Sequence, residues 1–138
     1  MTDRTGGELI QDFLATYEFI VVFGNPGTTE TTFLAAIAAS KATYVLSLHE
    51  SSAVGIAAGY GRPAGDERVS LVWRNALMAG VPLLVVNGQQ DSRFLIHNPV
   101  LGAPNTQLAE TATKYSYEVT SIDDLAVALQ RCYLQARL

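Results

Sequence analysis

The run Val22-Phe23-Gly24-Asn25-Pro26-Gly27-Thr28-Thr29-Glu30, followed by a second apolar run that leads into Leu48-His49-Glu50, constrains this chain more than any other feature. Phe19 to Phe23 is a continuous β-branched and aromatic stretch, the pattern of a strand covered on both faces. It stops in a tight Gly/Pro turn. Thr28 or Thr29 is expected to cap the next helix, with Glu30 in its first turn, where the helix dipole favours an anion. That helix runs through Phe33, Leu34 and Ile37, and Thr43 to Leu48 reads as a second strand with the Glu50 carboxylate at its carboxyl end. Ligands of open α/β sheets sit outside the carboxyl ends of parallel strands. The turn at 24–28 and Glu50 are therefore expected side by side at one ligand crevice.

The remaining pattern extends this unit. Leu9, Ile10, Phe13, Leu14 and Tyr17 recur at helical spacing, so 6–17 reads as an amphipathic helix. Residues 50–60 form a helix rich in small residues (Ala53, Gly55, Ala57, Ala58, Gly59), expected to pack closely on another element or subunit. Arg68 to Val72, Pro82 to Asn87 and Tyr115 to Val119 read as the third, fourth and fifth strands. A long loop with Pro99, Gly102 and Pro104 separates the last two, and Ser121, with Asp124 three positions on, starts a helix through Leu138. Alternating strands and helices predict an α/β fold: three layers, a doubly wound, mostly parallel sheet with helices on both faces.

At 138 residues the chain has the size of one domain, and 49 % hydrophobic against 16 % charged residues suits a packed core. A net charge of −4 argues against nucleic-acid or anionic-membrane partners. No stretch is long and apolar enough to span a membrane. The polar start, Met1 to Glu8, lacks a signal-peptide pattern. One cysteine, Cys132, excludes a disulfide framework and a cysteine metal site; a reducing, cytoplasmic setting is expected. No metal-ligand set is expected on this chain.

Two places break the pattern. Only Trp73–Val81 separates the third strand from the fourth, less than the about 10–12 residues a parallel crossover with its helix requires. The last helix stops at Leu138 with no strand after it. Both suggest a longer parent chain, with a loop missing near 72–73 and a last strand missing at the end.

The Gly24-Asn25-Pro26-Gly27-Thr28-Thr29-Glu30 turn, the Leu48-His49-Glu50 segment with its small-residue helix ending in Gly59-Tyr60, the run Pro82-Leu83-Leu84-Val85-Val86-Asn87-Gly88-Gln89-Gln90, and Lys114-Tyr115-Ser116-Tyr117-Glu118-Val119 occur in one order along nearly the whole chain. Together they resemble the N-terminal pyrimidine-binding domain of thiamine-diphosphate-dependent enzymes, and most closely the benzoylformate decarboxylase group of 2-oxo acid decarboxylases. Acetolactate synthases share the glutamate and the general layout, but their first turn usually lacks the Asn-Pro-Gly-Thr/Ser form.

The resemblance implies a non-oxidative carbon–carbon lyase. The glutamate matching Glu50 would hydrogen-bond N1′ of the aminopyrimidine and so promote loss of the thiazolium C2 proton, and the ring would then act as electron sink for release of carbon dioxide. A carboxylate flanked by apolar residues is expected to have a raised pKa for that task. Asn25, Pro26 and Gly27 match the segment beside the pyrimidine, and Thr28 stands where the group commonly has serine near the substrate carboxylate. The family holds Mg²⁺ and the diphosphate in a separate domain with a Gly-Asp-Gly sequence, which this chain lacks; Gly65-Asp66-Glu67 is no match. That domain comes from a second subunit, which implies a homodimer or homotetramer. The implied substrate is a 2-oxo acid, aromatic ones included.

One departure matters. Relatives continue the third strand into a loop bearing a catalytic histidine, whereas here Val72 passes straight to Trp73-Arg74-Asn75-Ala76, so that histidine has no counterpart. Carboligation of the acetolactate synthase kind, and a non-catalytic pairing domain, stay open as alternatives. Glu50 could also be only a helix-start glutamate, Asn25-Pro26-Gly27 only a turn, and Thr28 only a cap. His49 is expected to pack or to support Glu50 from behind, and His97 to lie on the surface. Gln89 and Gln90 could reach the site or an interface, or bond within a loop. Cys132, Tyr115 and Tyr117 read as structural.

Overall fold

The computed structural model describes residues 4–61, 81–100 and 102–138. Helix α1 (Gly6–Thr16) begins with a capping box: the Glu8 N–H donates to the Thr5 hydroxyl and the Thr5 N–H donates to the Glu8 carboxylate. Strand β1 (Val21–Gly24) leads through the Gly/Pro turn into a 3-10 turn, Thr28–Glu30, and helix α2 (Thr31–Ala38). Strand β2 (Thr43–Leu46) and helix α3 (Glu50–Gly61) follow. A 3-10 turn at Leu95–His97, a short helix α4 (Asn105–Glu110) and a long helix α5 (Ile122–Arg137) complete the order.

Strands β1 and β2 pair in parallel, Val21 opposite Thr43 and Gly24 opposite Leu46. The pairing continues one step past β2, where the Ser47 N–H donates to the Gly24 carbonyl at 2.8 Å. Strand alternation splits the core into two layers. Val22 joins Phe13 and Leu14 of α1, Phe19, Ile37 of α2, Leu84 and Tyr133 of α5. Val21 and Phe23 point the other way, onto Ala53 and Ala57 of α3, with Val45 and Leu83. Helices therefore cover both faces of the sheet, as expected for the α/β three-layer arrangement. Aromatic rings knit the first layer: Phe13 and Tyr133 meet each other, and each meets both Tyr17 and Phe19, at centroid distances of 4.1–6.2 Å.

Several expectations need correction. Pro82–Asn87 and Tyr115–Val119 are not ladder strands; among the described residues the sheet has two strands, and the fourth-strand segment carries only an isolated bridge at Leu83. The segment at 82–87 still keeps the alternation of an extended chain, Leu83 toward α3 and Leu84 and Val86 toward α1 and α5. It and 115–119 both line a cleft of about 520 Å³. The long proline-containing loop holds helix α4, directly after Pro104. The small-residue face of α3 divides: Ala53 and Ala57 are packed, whereas a side chain at Gly55 or Gly59 would meet nothing within 4 Å. The third strand at 68–72, the junction Val72–Trp73 and the short crossover lie outside the described residues. Ser121 caps α5 as expected, accepting from the Asp123 N–H.

Ile37 is 2 % exposed at the centre of the first layer, while Leu48 is 95 % exposed. Ile37→Ala should destabilise the domain by about 2–5 kcal/mol, and Leu48→Ala by no more than about 0.5 kcal/mol. Chemical denaturation of both variants beside the wild type would measure this.

Candidate functional site

Parallel pairing delivers the carboxyl ends of β1 and β2 to one edge of the sheet. Asn25 follows β1 directly, and Glu50 opens α3 a few residues beyond β2. Across this edge the Asn25 side-chain amide donates to Glu50 Oε1 at 3.0 Å. The other carboxylate oxygen, Oε2, lies 4.0 Å from His49 Nδ1 and remains open to a donor. Gly27 and Thr28 are exposed beside Asn25, and Pro26 is half-buried. Asn25, Pro26, Gly27 and Thr28 thus form one continuous turn next to Glu50, the arrangement expected from the chain order.

The Glu50 carboxyl sits below the usual carboxylate range, not above it. Its own backbone N–H and the Asn25 amide lower it most, burial opposes them, and His49 lowers it a little further. The expected upward shift fails because the Glu50 side chain is 72 % exposed in this chain. His49 is exposed and not packed; it lies beside the Glu50 carboxylate, and its Nδ1 accepts the Ser51 N–H at 3.1 Å, capping α3. Neither Thr28 nor Thr29 caps α2. Instead the Glu30 carboxylate takes the Gly27 N–H at 2.8 Å, while the Thr29 hydroxyl turns toward Glu30 at 2.8 Å. A carboxylate outcompetes a hydroxyl for main-chain donors at a helix start. The Thr28 hydroxyl makes no hydrogen bond among the described residues and is free to face a ligand.

Sequence reading missed the reach of Glu30. Its Oε1 also accepts the Gly88 N–H at 2.8 Å, from the end of the 82–87 segment. Burial alone would raise this carboxyl, but the bonds from Thr29, Gly88 and Gly27 together lower it. The signal available was a glutamate just after a ligand-facing turn and a glycine just after an apolar run. Gln89 bonds within the loop region, Nε2 to the Ala103 carbonyl at 2.7 Å, and does not reach Glu50. His97 is exposed on its 3-10 turn. Cys132 is half-buried on α5, and burial pushes its thiol up. Ser47, between β2 and Glu50, is 4 % exposed and its hydroxyl has no partner among the described residues. No group of three or more His, Cys, Asp or Glu side chains that could hold a metal occurs among the described residues.

Residues 4–109 match the family described as thiamine pyrophosphate enzyme, N-terminal TPP binding domain. The chain belongs to the thiamine pyrophosphate enzymes. Benzoylformate decarboxylase of Pseudomonas aeruginosa is 30 % identical over 140 residues, covering 92 % of this chain and 26 % of that protein. The mitochondrial acetolactate synthase catalytic subunit of Saccharomyces cerevisiae is 26 % identical over 142 residues, covering 94 % of this chain and 21 % of that protein. Among solved structures, the thiamine diphosphate-dependent 4-hydroxybenzoylformate decarboxylase of Rhodococcus jostii RHA1 superposes with a TM-score of 0.87 at 27 % identity, over 98 % of this chain and 28 % of its own. The chain therefore spans about a quarter of the length of such relatives. Decarboxylases and synthases both stand among them. The parent family consists of enzymes that use thiamine diphosphate, and the fold and the TPP-binding assignment of this domain follow from the match.

The site's residues fit the pyrimidine half of that cofactor. An exposed carboxylate can accept from or share a proton with a ring nitrogen, and the exposed Asn25, Gly27 and Thr28 lie in the turn beside it. Asn25→Ala should move the Glu50 carboxyl upward toward its ordinary value of 4.5, because it removes a bond to the charged form. A ¹³C titration of the Glu50 side chain in both proteins would read the shift. Glu30 supplies a second pH dependence. Its folded pKa lies below its unfolded value, so its contribution is complete above about 4.5 and is lost as pH falls through the folded pKa. The stability difference between wild type and Glu30→Gln should therefore be largest near pH 7 and shrink toward pH 3 in denaturation midpoints.

Proposed function

We propose that this chain is the pyrimidine-binding part of a thiamine-diphosphate-dependent 2-oxo acid decarboxylase of benzoylformate decarboxylase type. The observation that carries the reading is the Asn25–Glu50 hydrogen bond of 3.0 Å, which places the Asn-Pro-Gly-Thr turn and a carboxylate at one sheet edge. When bound, thiamine diphosphate supplies the acidic thiazolium carbon and the electron sink. Glu50 would hold a proton at the pyrimidine N1′ position, and Asn25 fixes the carboxylate's orientation through Oε1. Half-buried Pro26 and exposed Gly27 would line the ring, and the exposed Thr28 hydroxyl would donate to the substrate carboxylate.

Mg²⁺ and the diphosphate are held by a further domain, contributed by a second subunit of a homodimer or homotetramer. Exposed Leu46 and Leu48 ahead of Glu50, with Ile56 and Tyr60 on α3, support a covering partner on this side. Burial beneath that partner would remove water from Glu50 and raise its pKa toward the value the chemistry needs. The single half-buried cysteine suits a reducing compartment such as the cytoplasm. A second reading, carboligation of the acetolactate synthase kind, has the yeast relative in its favour, whereas the Asn-Pro-Gly-Thr turn favours decarboxylation.

In the complete enzyme, Glu50→Gln and Glu50→Ala should abolish carbon dioxide release from aryl 2-oxo acids and leave the circular dichroism of the fold unchanged. Near-normal turnover in either variant would refute the assignment. Product analysis with pyruvate and with benzoylformate separates the two chemistries: free aldehyde from the aryl acid supports decarboxylation, and acetolactate from pyruvate supports the synthase reading.

A further inference from the structure

The Glu30 carboxylate joins parts of the chain that lie far apart in sequence. Gly27 donates to Oε2, and Gly88 and the Thr29 hydroxyl donate to Oε1, each at 2.8 Å. The Gly88 peptide is held from its other side as well, its carbonyl accepting from Asn105 Nδ2 at 3.4 Å. A Cβ at Gly88 would collide with the Glu30 carboxylate and with Thr29, whose own Cβ would lie 2.7 Å away. Only glycine lets the chain approach this closely. Charge-assisted bonds from two main-chain segments to one anion hold those segments in a fixed relation. One of the two is the turn whose Asn25 meets Glu50.

We propose that Glu30 is a positioning residue that locks the Asn25–Thr28 turn to Gly88 and thereby holds Asn25 against Glu50. The inference rests on the reading of Glu50 as the pyrimidine-facing carboxylate. Both oxygens of Glu30 are taken by the chain itself, so it acts through the turn and not on a ligand. Glutamine is nearly isosteric, but its amide nitrogen cannot accept a main-chain N–H, so Glu30→Gln breaks one side of the lock. Aspartate is one methylene shorter and cannot span both segments.

The test uses the intact protein that carries this chain. Hydrogen–deuterium exchange is followed in peptides covering 24–31 and 84–90, and kcat/KM is measured with Glu30→Gln, Asn25→Ala and the double variant. Glu30→Gln should speed exchange in both peptides well beyond any change in those of α1 and α5. It should lower kcat/KM by roughly 10–100-fold, the scale of a misplacement of about 1 Å. In the Asn25→Ala background it should cost little more, because the lock acts through Asn25. Unchanged exchange in the two peptides would overturn the lock, and fully additive losses in kcat/KM would overturn its action through Asn25. Should Glu30→Gln fail to fold, Thr29→Val removes one bond to the same carboxylate; faster exchange at 24–31 supports the lock and unchanged exchange overturns it. Glu50→Gln, assayed in parallel, separates the two readings, since normal turnover there refutes the role of Glu50 while exchange still decides on Glu30.

Discussion

The parallel pairing of β1 with β2 is the constraint on which the site depends. Its register sets Gly24 opposite Leu46, so the residues leaving both strands emerge at the same edge. An antiparallel pair would send Asn25 and Glu50 to opposite ends. The register is held by burial on both faces, because Val22 fills one layer and Val21 and Phe23 the other. A slip of one residue would exchange the faces and break both cores.

The site this edge carries is polar, open and incomplete. Glu50 is an exposed carboxylate with one oxygen engaged by Asn25 and the other available. Its depressed pKa belongs to a solvated helix-start carboxylate, and the chemistry assigned to it needs a drier setting. Exposed Leu46 and Leu48 lie just ahead of it. Under the proposed function, a covering partner would lower the dielectric around this carboxylate and raise its pKa.

Much of the architecture was legible because the signals were local. Phe19–Phe23 and Thr43–Leu48 are short apolar runs that end at turn chemistry, and they form β1 and β2 with only small differences at their ends. Helical spacing located α1, and Ser121 marked the start of α5. The equally apolar run at 82–87 keeps the alternation of an extended chain and Tyr115–Val119 forms no regular element; among the described residues neither joins a ladder. Strand pairing needs a neighbour within hydrogen-bond range, and among the described residues neither segment has a ladder partner. Local pattern reports a residue's preference for extended backbone, and it carries no information on whether a partner is in reach.

By itself, the sequence determined the order of elements, the identity of the turn and the presence of a carboxylate at the next strand's end, because each is written in adjacent residues. Tertiary structure decided the rest. Thr28 and Thr29 were plausible caps, yet Glu30 took the Gly27 N–H, since an anion is the stronger acceptor. The same carboxylate reaches Gly88, a contact between positions 30 and 88 that no local rule encodes. The protonation preference of Glu50 likewise came from its own backbone N–H, from Asn25 and from its exposure. Hydrogen-bond partners and desolvation depend on which distant segments the fold brings within about 3 Å, and only the folded chain settles that.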